Sequence, residues 1–99
     1  MYLIGLDVGT TSIGGVLVDG SSGDIVKSVL KDNYSECNTA NSWEHCQDSD
    51  RIWRTVREVL AELSSGKVEI GGIGLTGQMH GILYVDSQGD AVSPLYTWL

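Results

Sequence analysis

Basic residues are scarce in this chain. Six Lys and Arg stand against thirteen Asp and Glu among 99 residues, a formal charge of −7. That balance repels phosphodiester backbones and anionic headgroups, so neither nucleic acid nor a membrane surface is an expected partner, and a small anionic ligand would need help from a metal. Cysteine is equally thin. Cys37 and Cys46 lack the second pair of a structural zinc site and are too few for a disulfide framework, so both are expected as free thiols. His45 beside Cys46 is a pair of ligand types without further partners, which does not make a metal site. Long apolar runs are also missing. None approaches the ~18 residues of a membrane span, and the N-terminus enters an apolar segment without a charged leader, which points to the cytoplasm.

Lysine is absent from one further place. Leu3-Ile4-Gly5-Leu6-Asp7 is an apolar strand ending on a single acid, and it runs into the hydroxyl-rich glycine turn Val8-Gly9-Thr10-Thr11-Ser12. A Walker loop requires Gly-Lys-Ser/Thr, and a dinucleotide fingerprint requires Gly-x-Gly-x-x-Gly opening a helix, so neither describes this turn. Its chemistry still suits an anion. Gly9 permits close backbone approach, while Thr10, Thr11 and Ser12 offer hydroxyl and amide donors beside the Asp7 carboxylate. A glycine and threonine turn between two strands is also a common way to close a hairpin that binds nothing, so the turn alone does not decide.

The rest of the chain alternates regularly. Tyr2 to Asp7 and Ile13 to Asp19 read as antiparallel strands, and Ile25 to Lys31 as a third, after the turn formers of Asp19 to Asp24. Asp32 to Gln47 is polar and reads as a surface excursion without regular structure, anchored by Trp43. Asp48 suits a helix N-cap with Asp50 near the positive helix end, and Ile52, Trp53, Val56, Val59, Leu60 and Leu63 recur at helical spacing up to Ser64-Ser65-Gly66. Val68 to Thr76 resumes as a strand, followed by the glycine-bracketed turn Gly77-Gln78-Met79-His80-Gly81, a further strand over Ile82 to Asp86 and a short extended piece from Ala91. Strands, one helix and a strand make an α/β half-domain with its polar groups at strand ends, where open α/β sheets bind ligands. The chain stops within the apolar run Pro94-Leu95-Tyr96-Thr97-Trp98-Leu99, which suggests a piece of a longer protein.

Asp7-Val8-Gly9-Thr10-Thr11-Ser12, followed much later by Gly77-Gln78-Met79-His80-Gly81, resembles the start of a carbohydrate kinase of the FGGY family, closest to its xylulokinase and sedoheptulokinase-like members. The Gln47-Asp48 helix entry and the Tyr96-Thr97-Trp98 ending resemble it as well, so the likeness covers essentially the whole chain. It implies a ribonuclease-H-like fold shared with actin and Hsp70 ATPases, of which residues 1–99 are the first part of the N-terminal, sugar-binding kinase domain, with ATP and sugar enclosed between that domain and a second one.

The same resemblance implies site roles. Asp7 would hold Mg²⁺ through water. Gly9, Thr10, Thr11 and Ser12 would contact the nucleotide's phosphates, with Thr10 and Thr11 facing the γ-phosphate. Gln78, Met79, His80 and Trp98 would belong to the ketose pocket: His80 hydrogen-bonds a hydroxyl and Met79 packs on the carbon chain, while Gln78 also suits bracing the turn and Trp98 also suits core filling. Asp7 and His80 are expected to converge on one cleft. No general base lies in the chain, since the family's aspartate falls beyond position 99, and these residues alone are expected to be inactive and prone to self-association; the whole protein is compatible with a homodimer. Gly14 stands where many members carry Lys or Arg; if that cation contributes to phosphate binding, either nucleotide binding is weaker here or a residue outside the chain compensates. Two other classes share parts of the pattern: a non-catalytic sugar- or phosphate-binding domain, and an actin- or Hsp70-like structural ATPase, which would have no use for Met79-His80.

Overall fold

The computed structural model describes residues 1–39, 41, 43–66 and 68–99. Two apolar segments joined by the hydroxyl turn form β1 (Tyr2–Val8) and β2 (Ser12–Asp19), an antiparallel pair in continuous register from Tyr2 opposite Asp19 to Val8 opposite Ile13. The turn formers after Asp19 deliver β3 (Ile25–Asp32) to the outer edge of β2, again antiparallel. The excursion that follows is more ordered than its composition suggests. It carries a two-residue strand, β4 (Cys46–Gln47), and a bridge between Glu36 and Gln47, and it buries Ser35 and Gln47 almost completely. Trp43, expected to anchor this segment, is exposed instead.

The helix α1 (Ser49–Leu63) starts where the sequence places it. The Asp48 carboxylate accepts the Asp50 backbone N–H at 2.9 Å, satisfying one of the donors a helix leaves open at its first turn. No basic residue lies in its last turn; β3 supplies one from outside. Lys27 Nζ donates to Glu62 O at 2.6 Å and to Ser65 Oγ at 2.8 Å, and Lys31 pairs with Glu62 at 2.8 Å, so cations meet the negative helix end. The Glu62 carboxylate in turn holds the Lys31 amine above its ordinary value.

Beyond the helix, β5 (Ile70–Gly77) runs parallel to β1, giving the sheet order β3-β2-β1-β5. Alternation along the strands decides which side α1 covers. Ile4, Leu6, Ile13 and Leu17 point at the helix and meet Val56, Val59 and Leu63 in one apolar core. Each fully buried aliphatic side chain there contributes roughly 1.5–3 kcal/mol. Gly15 lets the helix settle this close: a Cβ on it would lie 2.7 Å from Leu63 Cδ1 and 2.9 Å from Gly5 O.

The opposite sheet face is open. A groove of about 610 Å³ runs across it, lined by Asp7, Gly14, Val16, Leu30, Leu75 and their neighbours, with Leu30 76% and Leu75 72% exposed. Residues 82–86 do not form the expected strand; they contribute only single bridges, Ile82 to Tyr96 and Val85 to Ala91. The final strand, β6 (Leu95–Tyr96), pairs with β4 and brings the C-terminal residues back to the hydroxyl turn.

Candidate functional site

Because β1 and β5 are parallel neighbours, both glycine turns leave the same end of the sheet. Val8 lies opposite Gly77, and Gln78 N donates to Val8 O at 2.9 Å. The carboxyl end of adjacent parallel strands is where open α/β sheets collect ligand groups.

The first turn is fixed by its carbonyls. Asn33 Nδ2 donates to Gly9 O at 2.9 Å, Gln47 Nε2 to Thr10 O at 2.9 Å and Asn33 N to Thr11 O at 3.0 Å. Ser35 Oγ donates to Asn33 Oδ1, which orients that amide. The turn closes on itself through Gly9 N donating to Ser12 O at 2.9 Å, and a Cβ on Gly9 would come within 2.7 Å of that same oxygen. Glycine is required here for the hairpin's own closure, a tighter constraint than the approach of an external anion. With three successive carbonyls drawn back into the protein, the backbone N–H groups of Thr10 and Thr11 have no hydrogen-bond partner among the described residues. Exposed successive amides of this kind form a concavity suited to an anion.

Beside these amides is a cleft of about 520 Å³ lined by Thr10, Thr11, Asn33, Tyr34, Glu36 and Arg51. Arg51 is the cation among its lining residues, presented by the first turn of α1 with its Nε 3.8 Å from the Asp48 carboxylate. Tyr34 Oη donates to Asp32 at 2.9 Å, and that carboxylate keeps the phenol above its ordinary range.

Gln47 was not expected in the site, and it joins the two turns. Its Oε1 accepts from Gln78 Nε2 at 2.9 Å, Gln78 Oε1 accepts from Thr10 Oγ1 at 3.2 Å, and Thr10 Oγ1 accepts from Trp98 Nε1 at 3.0 Å. The direction of this chain is set by its ends. An indole N–H can only donate and the Thr10 carbonyl can only accept, so every amide and hydroxyl between them has one permitted orientation. The Thr10 hydroxyl proton is therefore committed to Gln78. For an incoming phosphate, Thr10 offers its amide and Thr11 its amide and hydroxyl, a narrower set than the residue types alone suggest.

The expected site residues thus separate into groups. Gly9, Thr10, Thr11, Ser12, Gln78 and Trp98 come together at one end of the sheet. Trp98, 57% exposed, is no core filler, and its indole is tied to Thr10. Met79 is 70% exposed, and His80 is exposed with φ +63°, the one non-glycine positive φ among the described residues. Asp7 lies between Gly14 and Thr76 in the sheet and lines the open-face groove, whose lining does not include His80. The groove that Asp7 lines is thus not the single cleft expected to unite Asp7 with His80, which sits in the exposed turn after β5. Cys37 and Cys46 are free thiols, and among the described residues no group of three or more His, Cys, Asp and Glu side chains is placed to hold a metal ion.

Known proteins match nearly the whole chain. The chain is 32% identical to a xylulose kinase of Staphylococcus xylosus over 98% of its own length and 20% of that protein's. Among solved structures, a ligand-bound xylulose kinase from Lactobacillus acidophilus superposes with a TM-score of 0.84 at 31% identity, and a gluconate kinase from the same organism with 0.85 at 31%; each comparison covers 98% of this chain and 19% of the other. The fold is accordingly the actin- and Hsp70-like arrangement of these kinases, and the chain spans about a fifth of the relatives it matches. With residues 2–99 matching the N-terminal domain of the FGGY family of carbohydrate kinases, the chain belongs to that family.

Proposed function

We propose that this chain is the opening part of the sugar-side domain of an ATP-dependent carbohydrate kinase that phosphorylates a terminal hydroxyl of a ketose of the xylulose or sedoheptulose class. The observation that carries the reading is the hydroxyl turn itself. Its carbonyls are pinned back by Asn33 and Gln47 and its Thr10 and Thr11 amides are left free, next to a second glycine turn at the same sheet end.

The donor set suits a magnesium nucleotide. Asp7 is an exposed carboxylate at a strand end without a hydrogen-bond or ion-pair partner among the described residues. Mg²⁺ favours one or two carboxylates together with water and phosphate oxygens, so Asp7 would hold it through water. ATP, when bound, supplies the transferred phosphoryl group. The Thr10 and Thr11 amides and the Thr11 hydroxyl bind its terminal oxygens and stabilise charge that grows during transfer, costing no reorganisation because the turn is already braced. Gln78 and Trp98 hold Thr10 in place, and His80 and Met79 face the sugar. None of these residues removes the hydroxyl proton; that role belongs to a carboxylate outside the chain. A cytoplasmic enzyme with a second domain closing over the site completes the reading.

Gluconate is the competing substrate, because the gluconate kinase superposes as well as the xylulose kinase does. The test is a panel of D-xylulose, sedoheptulose, glycerol and gluconate with ATP and the whole protein. The reading expects turnover with a ketose and, in Asp7→Asn, a fall of about 10²-fold or more in kcat with the sugar Kd retained. Full turnover in Asp7→Asn removes the metal assignment, and phosphorylation of gluconate alone replaces the ketose.

A further inference from the structure

Gln47 is 3% exposed, yet both ends of its amide are occupied by the two turns that flank the site. Nε2 holds the Thr10 carbonyl of the phosphate turn, and Oε1 holds the Gln78 amide of the sugar turn. Gln78 then returns to the Thr10 hydroxyl, so the three residues form a closed hydrogen-bonded ring, with Trp98 attached at Thr10 Oγ1. Gln47 is itself held between neighbours on both sides: it bridges Glu36 across the loop and pairs with Leu95 of β6, while the next residue, Asp48, caps α1 and donates its N–H to Ser35 O at 2.6 Å.

From this we infer that Gln47 is a positioning residue that carries the occupancy of the sugar turn to the phosphate turn. The inference rests on the kinase reading and deepens it.

The physical basis is the fixed polarity of the ring. A sugar that seats against Gln78 and Trp98 as they stand fixes both the acceptor and the donor of the Thr10 hydroxyl, and the Thr10 carbonyl is bound to the same ring through Gln47. In a buried setting an amide cannot surrender one partner without loss, because water is not there to replace it. Sugar binding therefore tightens the hold on the Thr10 carbonyl and narrows the motion of the Thr10 and Thr11 amides before nucleotide arrives. Gln47 touches neither substrate; its effect passes through Thr10 and Gln78.

The experiment measures backbone hydrogen exchange over residues 9–12 of the whole protein, with and without saturating D-xylulose, or whichever substrate the panel selects, and without nucleotide. In the wild type the sugar slows exchange in this segment about fivefold or more, read at the hydrogen-bonded Gly9 amide that closes the turn. In Gln47→Met, which keeps the volume and removes both hydrogen bonds, the sugar still binds and the slowing is lost. Thr10→Val cuts the ring at the half-buried hydroxyl with almost no change of shape, and gives the same loss should Gln47→Met not fold. A merely structural Gln47 would lower the melting temperature and leave the sugar-induced ratio intact. Wild-type slowing retained in folded Gln47→Met or in Thr10→Val overturns the inference. Sugar binding to the wild type without any slowing over 9–12 also overturns it and leaves the kinase reading standing. A wild type that binds none of the panel's substrates removes the kinase reading, and the inference with it.

Discussion

The turn at residues 9–12 and the turn at residues 77–81 leave the same end of one sheet, and they are built in opposite ways. The first is held by Asn33, Gln47 and its own closing bond, with buried side chains behind it. The second has one braced residue, Gln78, and then exposes Met79 and His80, with His80 in the left-handed region. On the proposed reading the phosphate chemistry is the same for every substrate whereas sugars differ, and a braced cradle beside an exposed, adaptable lip suits that reading. The contrast also separates roles within a single motif. Gln78 belongs to the rigid half and Met79-His80 to the adaptable half, although the three are consecutive.

The contrast breaks first at Asn33. Its side chain holds the Gly9 carbonyl while its backbone holds Thr11, and it is only 9% exposed. Asn33→Ala orphans Gly9 O and Ser35 Oγ, and the expected loss is about 1–3 kcal/mol in denaturant unfolding, accompanied by weaker nucleotide binding. Unchanged nucleotide affinity in a folded Asn33→Ala would show that the cradle needs no brace.

On the adaptable side the expected effects are smaller in stability and larger in substrate dependence. Asn tolerates the left-handed region better than Ala, so His80→Asn should be more stable than His80→Ala by up to ~1 kcal/mol, while both raise the ketose KM about tenfold. Equal melting temperatures would deny the backbone cost, and an unchanged KM would remove His80 from the sugar pocket.

The smallest effect sharpens the description of the bracing loop. Burial, with the Cys46 thiol beside it, pushes the Cys37 thiol from an ordinary 9.0 up to about 11. The fold therefore favours the protonated thiol. Its contribution is complete below pH 9 and is lost as pH rises from there through 11, because the unfolded chain releases that proton first. Cys37→Ser should flatten this part of the stability profile, and an identical alkaline profile would contradict the assignment.

Much of this was legible in the sequence. The strand alternation of β1 and β2, the Asp48 cap and the helix stripe of Ile52, Val56, Val59, Leu60 and Leu63 each carry a local signal, and each is where that signal puts it, whereas Trp53, read with that stripe, is 58% exposed and lies off the core face. The two motifs could be read together because each is short and chemically distinct. Gln47 could not. It lies in a polar stretch, its strand is two residues long, and its burial comes from Thr10, Gln78 and β6, all distant in sequence. A buried polar side chain without an apolar neighbourhood leaves no periodic trace. Arg51 was missed for a related reason: on a helix it reads as a solvated charge, and only the return of the chain beside Thr10 and Thr11 makes it part of a cleft. The strand expected over residues 82–86 had the right residue types but no neighbouring strand to pair with beyond two single bridges.

The central claim is that the two turns act as one hydrogen-bonded unit, and a double-mutant cycle between Thr10 and Gln78 tests it most directly. Thr10→Val and Gln78→Met are compared singly and together by denaturant unfolding of the whole protein. Each single change strands a partner, whereas the pair removes both, so the account predicts a double mutant less destabilised than the sum of the singles by about 0.5–3 kcal/mol. Additive losses would mean that the turns stand side by side without being joined.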